Sequence, residues 1–140
     1  MIKNERQYRI TNAQAEKFSD ALNSLRTDRS KEPMLAELEG NALASELEIL
    51  RGQLHEYDAL RSGKSCVIEV GSFDELPKAL VKSRIALGLS QKELAERLGM
   101  KEQQLQRYES TDYQAASMSR LREVVVALGV TVHFMVRSGV

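Results

Sequence analysis

The sequence predicts a mainly α protein: a helical hairpin at the N-terminus, then a compact helical module, with candidate short β-strands at 66–70 and 130–136. Three observations predict it. Leu43, Leu47, Leu50, Leu54 and Tyr57 recur at alternating steps of four and three, the spacing of a short heptad seam on one helix. Ser90 with Glu93 and then Gly99 bracket a short helix with a start signal and a stop signal. Val130, Val132, Phe134 and Val136 alternate with Thr131, His133, Met135 and Arg137, a period of two rather than 3.6.

In chain order, Thr11 with Gln14 reads as a capping box, and Ala15, Phe18, Leu22 and Leu25 follow at helical spacing, which predicts a first helix over about 12–26. The stretch 27–33, TDRSKEP, collects turn-formers and ends in Pro33, welcome at a first helical position. A second helix then runs from Pro33 to about Arg61, its apolar face widened by Leu38, Ala42 and Ile49. Gly40 and Gly52 each weaken it by about 1 kcal/mol relative to alanine, so packing against another element must hold it. RSGKS (61–65) marks a boundary, and CVIEV (66–70) is a short β-branched run closed by Gly71. The triplet Gly63-Lys64-Ser65 is not a phosphate loop, because position 58 is Asp where that motif needs its first glycine. Ser72 or Asp74 caps a helix running to Leu87. The strand expected at 130–136 would pair with 66–70 in the same chain or across a dimer. The organisation is thus a hairpin over 1–62, a linker with a short strand over 63–73, and a module over 74–140.

Composition bounds the function. Hydrophobic residues make up 42% of the 140-residue chain and charged residues 29%, a globular profile. No run of about 18 apolar residues exists, and the N-terminus lacks the apolar core of a signal peptide, so a cytoplasmic protein without membrane association is expected. One cysteine, Cys66, and two histidines, His55 and His133, leave no ligand set for a metal, and no cofactor is expected. The same three residues fall on separate elements with no nucleophile motif around Cys66, so no enzyme is expected. Net charge is zero, which argues against indiscriminate polyanion binding, yet residues 33–60 carry Glu37, Glu39, Glu46, Glu48, Glu56 and Asp58 against Arg51 alone.

The segment GLSQKELAERLGMKEQQLQRYES (88–110) carries the most specific signal. Leu94, Ala95 and Leu98 face inward, Gly99 ends a helix, and Leu105 restarts the apolar face, so two short helices meet at a tight turn. From about Leu80 to Val130 this resembles the helix-turn-helix of the lambda-repressor-like (Xre) family, through Leu87-Gly88-Leu89-Ser90-Gln91, Glu93-Leu94-Ala95, Leu98-Gly99 and Leu128-Gly129-Val130. The resemblance implies sequence-specific binding of double-stranded DNA by a homodimer on a palindromic operator. It puts Glu102, Gln103, Gln106 and Arg107 against base edges, Gln103 and Arg107 being suited to bidentate pairing with adenine and guanine. Ser90, Gln91, Lys92 and Lys101 become phosphate contacts, and Arg84 and Glu109 a structural ion pair. Two departures stand out. Where many members carry a glycine-containing loop after the recognition helix, Ser110-Thr111-Asp112-Tyr113 has none, and its acid weakens the expectation of backbone contacts. The alternating 130–136 stretch also replaces the family's usual last helix.

Small Xre-type proteins with a helical extension resemble HigA-like antitoxins, which neutralise a toxin and repress their own operon. By that resemblance the acidic second helix would meet a basic toxin protein through the seam Leu43, Leu47, Leu50, Leu54 and Tyr57. The alternative is a plain dimeric repressor, of phage, restriction-control or metabolic type, whose hairpin only dimerises.

Overall fold

The computed structural model describes residues 1–63 and 67–139 and divides into two compact units, Met1–Ser62 and Gly63–Val140. Among the described residues the ordered elements are all helical. No helix among them is long and apolar enough to cross a membrane.

The first unit is an antiparallel pair of long helices, α1 (Glu5–Thr27) and α2 (Pro33–Arg61). α1 begins well before the expected residue 12: Asn4, not Thr11, is the N-cap, its side chain accepting from the Gln7 N–H at 2.8 Å. The Lys3 N–H donates in turn to the Gln7 side chain at 2.9 Å, so donors at the helix start are satisfied reciprocally. Thr11 lies inside the helix. At the turn, the Ser30 N–H donates to the Asp28 carboxylate at 2.9 Å, and Pro33 opens α2.

The seam on α2 faces α1. Leu47 and Tyr57 are buried and Leu43, Leu50 and Leu54 half-buried, with Ala15 of α1 buried and Phe18, Leu22 and Leu25 half-buried opposite. The five residues expected to meet a partner are therefore used within the hairpin. Burying a leucine or aromatic side chain stabilises by about 1.5–3 kcal/mol, enough for this seam to hold a helix that two glycines weaken. At Gly40 the helices pass closely: a methyl group there would lie 3.6 Å from Leu25 Cδ2 and 3.8 Å from Leu22 Cδ1. At the open end a polar clasp joins the helices. Tyr8 and Tyr57 pack with ring centroids 5.3 Å apart, the Arg61 guanidinium lies over both rings, and its nitrogens meet Glu5 at 2.7 Å and Asp58 at 2.9 Å.

The second unit opens with a 3-10 turn (Phe73–Glu75) leading into α3 (Leu76–Ala86), followed by α4 (Gln91–Leu98), α5 (Glu102–Ser110) and α6 (Met118–Leu128). Leu80, Val81, Ile85, Leu94, Ala95, Leu105, Tyr113, Val124 and Leu128 form its buried core. Two expectations need correction. Residues 67–70 form no strand; Ile68, Glu69 and Val70 instead line a cleft with Pro77, Lys78 and Tyr113. Residues 130–136 form none either, because a strand exists only through paired backbone groups, and the one backbone bond of this stretch among the described residues, from the Val130 N–H to the Val125 carbonyl at 3.3 Å, only closes α6. Lys64, Ser65 and Cys66, and with them the start of the 66–70 segment, lie outside the described residues.

Candidate nucleic-acid interface

The two helices of the motif are placed by local chemistry. Ser90 caps α4 by accepting from the Glu93 N–H at 3.0 Å, while the Ser90 N–H donates to the Glu93 carboxylate at 2.8 Å, which closes the capping box. Gly99 ends α4 with φ +67°, a left-handed conformation that costs an L side chain about 1–2 kcal/mol. The Met100 N–H returns to the Ala95 carbonyl at 3.0 Å, and the chain turns directly into α5. Leu94, Ala95 and Leu105, all at most 1% exposed, lock the two helices against the core.

Behind the turn lies a buried polar cluster. Arg84 of α3 meets Glu109 of α5 in a fork, Nε to Oε2 at 2.7 Å and Nη2 to Oε1 at 2.8 Å. Its remaining nitrogen, Nη1, donates to the Leu89 carbonyl at 2.8 Å, just before α4. Gln91 completes the cluster, its side-chain amide donating to Glu109 Oε1 at 2.8 Å. A buried ion pair is tolerated when its spare donors and acceptors find partners, and here the Leu89 carbonyl and the Gln91 amide supply them.

That cluster changes the expected role of Gln91. Its side chain is buried and turned inward, so it is not presented to a phosphate as the exposed donor the resemblance implied. Glu109, eighteen residues further along the chain, is what draws it in. Ser90, Lys92 and Lys101 are exposed at the starts of α4 and α5, where unsatisfied backbone N–H groups favour anions. Lys101 is itself the N-cap of α5 and makes no side-chain cap.

The face of α5 opposite Leu105 and Glu109 is polar and open. Glu102, Gln103, Gln106 and Arg107 are all exposed, and Gln106 donates to Glu102 at 3.4 Å, a long bond that a base edge could replace. Arg97 is committed elsewhere, donating to the Ala127 carbonyl at the end of α6 at 2.9 Å.

The glycine-free loop after α5 reaches left-handed backbone without glycine. Asp112 and Tyr113 hold φ +49° and +56°. Aspartate tolerates this region; a tyrosine persists there only when its surroundings fix it. The Tyr113 ring is buried and stacks on Tyr108 at 5.9 Å, with the Arg120 guanidinium over the other tyrosine at 5.7 Å. The Tyr113 hydroxyl is buried without a hydrogen-bond partner among the described residues. Burial, and secondarily the Glu109 carboxylate, push its pKa well above the ordinary phenol value. The sequence offers no signal for this conformation, since the glycine that announces it is missing.

Residues 80–134 match a protein-family model described as Helix-turn-helix, the lambda-repressor-like kind, and residues 1–79 lie outside the match. Neither the curated proteins nor the solved structures contain a match to the chain. The module is a helix-turn-helix domain, and it indicates a DNA-binding transcriptional regulator.

Proposed function

We propose that the chain is a sequence-specific repressor that reads a palindromic operator as a homodimer, and that its hairpin captures a protein partner, as in an antitoxin that represses its own operon. The observation that carries the DNA half is the exposed row Glu102, Gln103, Gln106 and Arg107 on a helix fixed from behind by Leu105 and the Arg84–Glu109 pair. Gln103 and Arg107 read bases, while Ser90, Lys92, Lys101 and the backbone N–H of Gln91 position the domain on phosphates. A regulator, not a catalyst, is the role these residues suit.

The partner half is supported by the outward side of α2. Met34, Leu35, Leu38 and Ile49 are each more than half exposed, although α1 already covers the opposite side of the same helix. The acids Glu37, Glu39, Glu46 and Glu48 stand among them, also exposed. An apolar stripe with an acidic rim suits a basic protein, of the ribonuclease-toxin type, through charge steering and helix-face packing. If a second copy occupied this stripe instead, the chain would be a plain repressor with a dimerising hairpin.

Selection of operators from a random duplex pool, followed by titration of the selected site, tests the DNA half. Gln103→Ala and Arg107→Ala should each cost about 1–3 kcal/mol at one base position, while Lys101→Ala should weaken all sequences alike and flatten the salt dependence. Identical base preferences in all three variants would overturn the assignment of reading residues. Co-expression with the product of the adjacent reading frame, using the full-length chain and its Leu38→Glu/Ile49→Glu variant, tests the partner half. Complex formation that the variant abolishes is expected; no complex, or one indifferent to the variant, rejects it.

A further inference from the structure

The described residues after α6 are unusual in what they leave undone. Between 131 and 139 none makes a backbone hydrogen bond among the described residues, although the stretch alternates apolar and polar side chains through 136. Phe134 packs on Phe73 with ring centroids 5.7 Å apart, yet the two rings remain 54% and 50% exposed. Met135 and Val136 continue the apolar surface at 78% and 93% exposed. An alternating segment with open N–H and C=O groups is an edge waiting for a strand, and it draws one from another chain when its own supplies none.

We infer that residues 131–137 pair in antiparallel register with the same residues of a second copy, forming a two-stranded ribbon that makes the dimer. The sequence is compatible with itself in that register. Centred on Phe134, the pairing sets Val132 opposite Val136, Thr131 opposite Arg137 and His133 opposite Met135, so no like charges meet. A parallel ribbon would instead place Arg137 against Arg137. The antiparallel arrangement has a two-fold axis at Phe134, and it brings each copy's Phe73–Phe134 pair to the seam, where the half-exposed rings lose their contact with water. Residues 67–70 are the other β-branched segment, but they already line the cleft beside Pro77 and Tyr113. The two-fold axis is also what a palindromic operator requires, and in that respect the inference deepens the proposed function; the ribbon forms without DNA, so it stands or falls separately.

Sedimentation of the full chain without DNA tests it, with Met135→Pro and Val136→Pro as single variants. Successive residues point their N–H groups to opposite edges of a strand, so one of the two prolines removes a ladder donor whichever edge pairs. Neither breaks a backbone bond among the described residues, so thermal melting should show the module intact. The expected result is a wild-type assembly whose mass one of the variants halves, with dissociation strengthened about 100-fold or more. Hydrogen exchange in the wild type should show slow amides on alternate residues of 131–137. A monomeric wild type, an assembly untouched by both prolines, or uniformly fast amides across 131–137 would each overturn the ribbon.

Discussion

Arg61 in the hairpin and Arg84 in the module each hold a glutamate at 2.7 Å, yet the two bonds do different work. The Arg61 and Glu5 side chains are 45% and 58% exposed, whereas those of Arg84 and Glu109 are 3% and 0% exposed. In water the pair competes with solvent and loses side-chain entropy, so its net value is small. In the interior neither partner can be removed without stranding the other as an unpaired charge. Equal distances thus mark a dispensable clasp in one unit and an obligatory joint in the other. The units differ in burial for a simple reason. Two helices can shield only one stripe of each other, while four helices enclose a core from several sides.

The sharpest way to break this contrast is Glu109→Ala, which should destabilise the module by about 3–5 kcal/mol in denaturant titration. A loss below about 1 kcal/mol would place the pair with the surface kind. Next in size, Tyr113→Phe removes a buried hydroxyl that has no partner among the described residues and should raise stability by about 1 kcal/mol; a loss instead would reveal a hidden partner. Arg61→Ala, for all its hydrogen bonds and ring contacts, should cost the hairpin at most about 1 kcal/mol. The smallest effect concerns acid. The Ser30 hydroxyl, then the Ser30 backbone N–H, hold the Asp28 carboxyl below its ordinary pKa. A lowered folded pKa contributes stability above the unfolded value, lost as pH falls through the lowered one, so Asp28→Asn should flatten the hairpin's melting curve against pH below about 4.

Much of this architecture was legible because it is written in local signals. Pro33 announces the start of α2, the 43–57 seam announces its inner face, and Ser90, Glu93 and Gly99 announce α4 and its stop. What escaped depends on partners distant in sequence or on competing local signals. Two cap-like pairs, Asn4 with Gln7 and Thr11 with Gln14, compete for the start of α1, and the polar first turn of Glu5, Arg6 and Gln7 gives no periodicity to choose between them. The orientation of Gln91 depends on a carboxylate on another helix. Alternation at 130–136 specifies a strand's faces but cannot supply its neighbour. The left-handed backbone at Asp112 and Tyr113 is fixed by packing of the tyrosine ring, which no local propensity encodes.

The guanidinium of Arg84 touches the approach to α4 and the far end of α5 at once, through Leu89 and Glu109. The angle between these helices is thereby fixed during folding, before any DNA arrives. Ordering a recognition surface at the moment of association subtracts from affinity, by about 0.5–1.5 kcal/mol for each long side chain immobilised, and more if a helix must settle as well. If Gln103 and Arg107 read bases as proposed, a scaffold fixed in advance confines that loss to them and their neighbours. On that reading, discrimination between operators rests on a handful of side chains above a joint that need not move to accommodate them.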